Sequence, residues 1–236
     1  MTLNLPRRAF STLELVVVVA IVGILATFVA SKFRDDPLAR ATLQIASHLR
    51  YTQAIALNDD RFSTRTDWHE SRPIFEFTHI NTQKKIKNVC ENVTCWRYNV
   101  YKDTSGSTNL NAITQAVPDP LNPAKRLTAG FSPGSLFESN IKQLNLKLNL
   151  TYTFGVTDVE FSGGCKAQRA GVGVKFRFDE LGRVYTQNPT RAYNGAVSKR
   201  CEVRLFDKNG ACKMLTIEAQ TGFVMANLKC VRKAES

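Results

Sequence analysis

The chain has 236 residues, enough for one sizeable domain or one domain with an appendage, and 43% hydrophobic against 22% charged residues exclude a wholly disordered protein. A mean hydropathy of −0.21 excludes a protein with many membrane spans. Thirty-two Lys and Arg against 20 Asp and Glu leave a formal charge of +12, which favours anionic partners such as nucleic acid or a membrane surface and says nothing about fold. The apolar residues are unevenly spread. Residues 1–9 are short and basic, with Arg7 and Arg8, and the 21 residues of 10–30 that follow carry one charge, Glu14. From Leu15 to Ala30 only Gly23 and Thr27 interrupt the run. About 20 apolar residues span a bilayer as a helix, so 10–30 reads as a transmembrane segment. The arginines ahead of it hold that end in the cytoplasm and deliver the remaining chain outside. Ala30-Ser31-Lys32 is a poor cleavage site, which separates this run from an ordinary signal peptide.

Glu14 carries the argument further. A carboxylate within an apolar helix costs about 2.5 kcal/mol or more unless it is partnered. A cut between Ala9 and Phe10 would create a partner, because the new α-amino group lies four residues before Glu14, within one helical turn. Arg8-Ala9-Phe10-Ser11-Thr12-Leu13-Glu14 and the apolar run after it resemble the class III prepilin signal of type IV pilins and type II secretion pseudopilins. The resemblance covers residues 1–30. It implies cleavage after Ala9 by a prepilin peptidase, N-methylation of Phe10 by the same enzyme, and Glu14 as the acid that docks the subunit into a filament. Ala9 stands where the family usually has Gly, and Ser11 stands where many members differ. The implied partners are other pilins or pseudopilins, the prepilin peptidase/N-methyltransferase, an inner-membrane assembly platform and the membrane itself. The implied location is the inner membrane, single-pass, with the head in the periplasm, assembled into a periplasmic or cell-surface filament. Within Leu43 to Leu57, the string Leu49-Arg-Tyr-Thr-Gln-Ala-Ile55 also resembles the corresponding helix of the FimT-like minor pseudopilins of type II secretion.

Residues 31–60 read as an amphipathic continuation of the helix. Asp36 followed by Pro37 has the form of an N-cap with Pro at the first helical position, so a kink or restart is expected at Pro37. From there to about Asn58, Leu38, Ala41, Ile45, Leu49, Thr52 and Ala56 share one face at 3.6 periodicity. Residues 61–236 form a β-rich head. Ile74 to Thr78 and Trp96 to Tyr101 are short strand candidates. Residues 103–140 hold four of the eight prolines among many Ser, Thr, Asn and Gly, and read as a long, partly disordered surface insertion. Leu144, Leu146, Leu148, Leu150, Tyr152 and Phe154 alternate with polar residues, the period of a half-buried strand. Val172, Val174, Phe176 and Phe178 repeat that pattern before a turn at Glu180-Leu-Gly182 and Arg183-Val-Tyr185. Val203 and Leu205 lead to Asp207-Lys-Asn209-Gly210, a hairpin signal, and a second hairpin is expected around Thr221 to Met225. The expected fold class is α+β: a long N-terminal helix, half transmembrane and half amphipathic, packed on an antiparallel β-sheet head.

Chemical motifs are scarce. Gly130-Phe-Ser132-Pro-Gly134 matches a nucleophile-elbow string, but the oxyanion hole needs the N–H of the residue after the serine, and Pro133 has none. His48, His69 and His79 lack metal-ligand spacing, and no phosphate-binding loop occurs. The expectation is no enzyme, no cofactor and no metal. Cys90 and Cys95 could be half of a zinc site, but the later spacings of 36, 11 and 18 between Cys165, Cys201, Cys212 and Cys230 form no second close pair. Outside the cytoplasm disulfides are favoured, with Cys90–Cys95 as a local bridge and the other connectivities open. Removal of residues 1–9 takes Arg7 and Arg8, leaving 30 basic against 20 acidic residues and +10. Solvated surface charge accounts for this. The alternative is DNA contact through Lys229, Arg232 and Lys233, since some minor pilins of DNA-uptake machines bind DNA. The sequence therefore reads as a minor pilin or pseudopilin subunit, with a DNA-binding minor pilin as the alternative. A membrane-anchored periplasmic enzyme or metal protein comes third.

Overall fold

Pro37 divides the N-terminal helical structure in two. Its ring removes a backbone donor and disfavours helical geometry in the residue before it, so it can begin a helix but not continue one. In the computed structural model, which describes residues 12–32, 36–60, 68–81, 94–104, 108–130, 141–165, 173–187, 191–227 and 229–230, α1 spans Thr12–Lys32 and α2 spans Pro37–Leu57. The two helices belong to separate compact units, divided in the chain between Asp36 and Pro37.

The expected fold class is corrected on three points. No single long N-terminal helix forms, because α2 starts afresh at Pro37 and only α2 belongs to the unit that holds the strands. The head is built from three antiparallel sheets rather than one. Among the described residues no helix is long and apolar enough to cross a membrane. The side chains of α1 are described over 12–24, about 20 Å of helix at 1.5 Å per residue, short of the ~30 Å hydrocarbon core. The transmembrane helix, the single-pass inner-membrane location and the periplasmic placement of the head are withdrawn with it.

The second unit is assembled around α2. Leu38, Ala41, Ile45, Ala46, Leu49 and Ala56 are buried in the main core. This stripe contacts strands of two sheets. The first has the order β2-β1-β6-β7, from β1 (Pro73–Asn81), β2 (Thr94–Lys102), β6 (Lys175–Phe178) and β7 (Val184–Tyr185). The second has the order β10-β9-β8-β5, from β5 (Val156–Gly163), β8 (Cys201–Asp207), β9 (Cys212–Ile217) and β10 (Val224–Asn227). Polar residues of α2 fasten the strand ends. Arg50 donates from Nε and Nη2 to the Val224 carbonyl, at 3.2 and 2.8 Å. Gln53 Nε2 donates to the carbonyls of Gly182 and Thr221, at 3.1 and 2.6 Å. Those two turns approach so closely that a Cβ on Gly222 would lie 2.0 Å from the Gly182 oxygen, and Gly222 also has φ 62°.

Residues 144–154 are helical, not a strand. A 3₁₀ turn covers Leu146–Leu148 and α3 covers Leu150–Phe154. Asn145 caps the first by accepting from the Lys147 N–H, and Asn149 caps the second by accepting from the Tyr152 N–H. Gly155, at φ 70°, terminates α3 in the left-handed conformation. Leu144, Leu148, Leu150 and Phe154 are buried while Leu146 and Tyr152 are exposed. The alternation was coincidental, and the two Asn caps decided the local structure.

The insertion carries structure of its own within 108–130. β3 (Pro118–Asp119) and β4 (Asn122–Arg126) form a hairpin, and Leu110, Ile113 and Ala116 join Ile74, Tyr101 and Leu144 in a second small core. Val100 N–H donates to the Leu127 carbonyl and Val117 N–H to the Val100 carbonyl, at 2.8 and 2.9 Å, so this segment bonds to β2. Tyr101 Oη and Lys175 Nζ both donate to the Thr108 carbonyl, and Lys175 also pairs with Glu76 at 3.2 Å.

One buried polar group on α2 makes stability pH-dependent. Gln44 Nε2 donates to the Tyr98 hydroxyl oxygen, leaving the Tyr98 proton for His48 Nδ1; both contacts are 2.8 Å. Burial lowers the His48 pKa below 6.5, with Asp119 opposing. A depressed folded pKa means that unfolded chains bind the extra proton, so this contribution is complete above pH 6.5 and lost as pH falls below it. Thermal melts between pH 7.5 and 5 should therefore show a steeper fall in Tm for the wild type than for His48→Gln.

Candidate assembly surface

α1 is apolar on every side. Leu15, Val16, Val17, Val18, Val19, Ile21, Val22 and Ile24 surround its axis, and all of 12–24 is exposed, with Val16 at 66% and Val19 at 64%. A helix that is hydrophobic all round is normally buried. Gly23 adds an open notch, since nothing lies within 4 Å of where its Cβ would be. Burying four Val, Leu or Ile side chains contributes roughly 6–12 kcal/mol, comparable with the ~4–15 kcal/mol cost of association. The one charge is Glu14, exposed in the first turn, where the helix dipole favours an anion. A carboxylate taken into an apolar contact without a partner costs several kcal/mol, so Glu14 restricts which partners and registers are acceptable.

Ala9 and Phe10, the expected cleavage and methylation positions, lie outside the described residues, as do Cys90, Arg232 and Lys233. Lys229 is exposed, with its backbone N–H donating to Asn227 Oδ1 at 3.1 Å. Cys212 and Cys230 form a disulfide with a Cα–Cα distance of 5.4 Å, tying the start of β9 to the chain beyond β10. Cys95 is also disulfide-bonded. Cys165 and Cys201 are buried free thiols. Among the described residues, no group of three or more His, Cys, Asp or Glu could hold a metal ion.

A buried polar cluster beside β7 escaped the sequence reading. Asp179 Oδ1 accepts from the N–H groups of Leu181 and Arg183, at 3.0 and 2.8 Å. Its Oδ2 accepts from Arg183 Nε and the Tyr185 hydroxyl, at 2.7 and 2.9 Å. Burial and this hydrogen bond push the Tyr185 pKa up to about 12. The buried Arg72 guanidinium lies between Trp68 and Tyr185, 4.6 and 4.4 Å from the ring centroids, and donates to the Ala192 carbonyl. Burial lowers the Arg72 pKa, with Tyr185 and Asp179 opposing. The Asp179-Glu-Leu-Gly182 turn was visible in the sequence, but nothing there showed that Arg72 would reach it. The adjoining cleft, lined by Ala56, Asp59, Trp68, Arg72, Phe178 and Glu180, has room for about one water molecule and is not substrate-sized.

Comparison of the chain with known protein families, with curated proteins and with solved structures finds no match.

The Asp179 cluster works as a structural clasp. Asp179→Ala strands four donors, and charge-assisted hydrogen bonds contribute about 1.5–3 kcal/mol each, not additively. We expect a loss of about 3 kcal/mol in chemical denaturation, with Asp179→Asn intermediate.

Proposed function

We propose that this protein is a structural subunit of a filament, a minor pilin or pseudopilin, assembled through α1 against the equivalent helices of neighbouring subunits. The observation that carries the reading is the all-round apolar surface of α1, interrupted by Glu14 alone. Helices of the same kind are the cover that matches it in both length and chemistry. Cleavage after Ala9 would place the Phe10 α-amino group one turn before Glu14. The amine of one subunit would then neutralise the carboxylate of its own chain or of the next, which makes assembly depend on processing. The signal at Arg8-Ala9-Phe10 and the spacing to Glu14 support the same reading, with a prepilin peptidase as the processing partner. The second unit contributes a folded head that moves with the filament.

Two experiments test this. Terminal-peptide mass spectrometry of the protein from its native host should find a chain that begins at N-methylated Phe10; an intact Met1 terminus would sink the proposal. Replacement of Glu14 by Ala should leave processing and the head unchanged, yet reduce subunit-to-subunit cross-linking at least tenfold. Normal cross-linking in that variant would refute the docking role of Glu14.

A further inference from the structure

Two adjacent glycines press the chain after β5 against the strand it pairs with. A Cβ on Gly163 would lie 2.1 Å from the Arg200 carbonyl oxygen, and one on Gly164 would lie 2.2 Å from the Lys199 oxygen and 2.3 Å from Val197 Cγ1. Gly163 also has φ 68°, and the Gly164 N–H donates to the Arg200 carbonyl at 3.0 Å. No residue with a side chain permits this approach. Its consequence is the placement of Cys165. Gly163 is the register partner of Cys201, so two residues later Cys165 turns back over that position, fully buried. Cys165 Sγ lies 3.2 Å from the Ser162 carbonyl oxygen and 3.8 Å from that of Glu202, the residue next to Cys201. The two thiols are in hydrogen-bond contact, and that contact together with burial raises the Cys201 pKa.

We propose that Cys165 and Cys201 form a disulfide bond that closes the excursion of residues 166–200. That segment leaves the second sheet at the end of β5, supplies β6 and β7 to the first sheet, and re-enters the second sheet at β8. The departure and the return meet at these two sulfurs. A bond there locks the strand exchange between the sheets and removes a long loop's freedom from the unfolded chain. The same chain already holds its other described cysteines, Cys95, Cys212 and Cys230, in disulfides.

The chemistry is thiol–disulfide exchange. One thiolate attacks a sulfur of an oxidised small disulfide such as glutathione and releases one glutathione thiolate. The second cysteine, deprotonated in turn, attacks the mixed disulfide and releases the other. Two thiols are oxidised to one S–S bond, one glutathione disulfide is reduced to two thiols, and the protons go to the released thiolates. Thiolate is the reactive form, and the buried pair disfavours it, so the exchange belongs to folding, before the core closes.

The test is to refold the reduced full-length chain in a glutathione redox buffer, denature it without reductant, alkylate it and map its peptides. The expected result is no alkylation at either position and a linked peptide pair joining Cys165 to Cys201. In the folded oxidised protein, dithiothreitol should open Cys212–Cys230, whose residues are only half-buried, at least tenfold sooner. Free thiols at 165 and 201 beside an intact Cys212–Cys230 bond, or a link from either to another cysteine, overturn the proposal. The double variant Cys165→Ser, Cys201→Ser should melt on the order of 10 °C below the oxidised wild type; an equal Tm would overturn the closing role.

Discussion

The stripe of Leu38, Ala41, Ile45, Leu49 and Ala56 on α2 is the contact on which the second unit depends, because it is the surface shared by both four-stranded sheets. Each sheet has an apolar face that it cannot cover alone. Full burial of one such side chain contributes about 1.5–3 kcal/mol, so a few of them outweigh any single hydrogen bond in the molecule. The polar residues on the flanks of α2 have a different task. Gln44, Arg50 and Gln53 reach turns and strand ends and set where the helix lies, which the apolar stripe alone would leave free to slide.

α1 presents the reverse case. It has more apolar surface per residue than α2, and its described part finds no cover within its own unit. Pro37 makes the difference between the helices structural as well as compositional, since it ends any continuity between an apolar rod and an amphipathic one. A chain built this way separates the energetics of folding, carried by α2, from the energetics of association, carried by α1. Glu14 then acts as a specificity device: it adds nothing to attraction and penalises every contact that leaves it unpaired.

Some of the fold was legible because the signals were local. The 3.6-residue stripe of α2 needs only its own side chains to be seen. Asp207-Lys-Asn209-Gly210 makes a turn by itself, with Asp207 Oδ1 accepting from the N–H groups of Asn209 and Ala211 and Gly210 at φ 77°. The candidate assembly surface was legible for the same reason, since apolar residues all round a helix and one acid at a fixed distance from a cut site are sequence patterns. The expected membrane span was read from the length of the apolar run alone, and it did not survive the structure.

What tertiary structure alone decided are the choices in which two local signals competed or distant residues met. Residues 144–154 offered a strand period and two Asn caps, and the caps prevailed because the neighbouring core had places for Leu144, Leu148, Leu150 and Phe154 at helical spacing. The insertion looked polar throughout, yet Leu110, Ile113 and Ala116 were enough to seat it on Ile74 and Tyr101. The meeting of Cys165 with Cys201, and of Arg72 with Tyr185, depends on strand order, which is a property of the packed sheets. The sequence determined which segments could be helices, turns or contact surfaces, because those depend on neighbours a few residues away. Which cysteines, cations and carboxylates came together was set only when burial brought remote parts of the chain into one core.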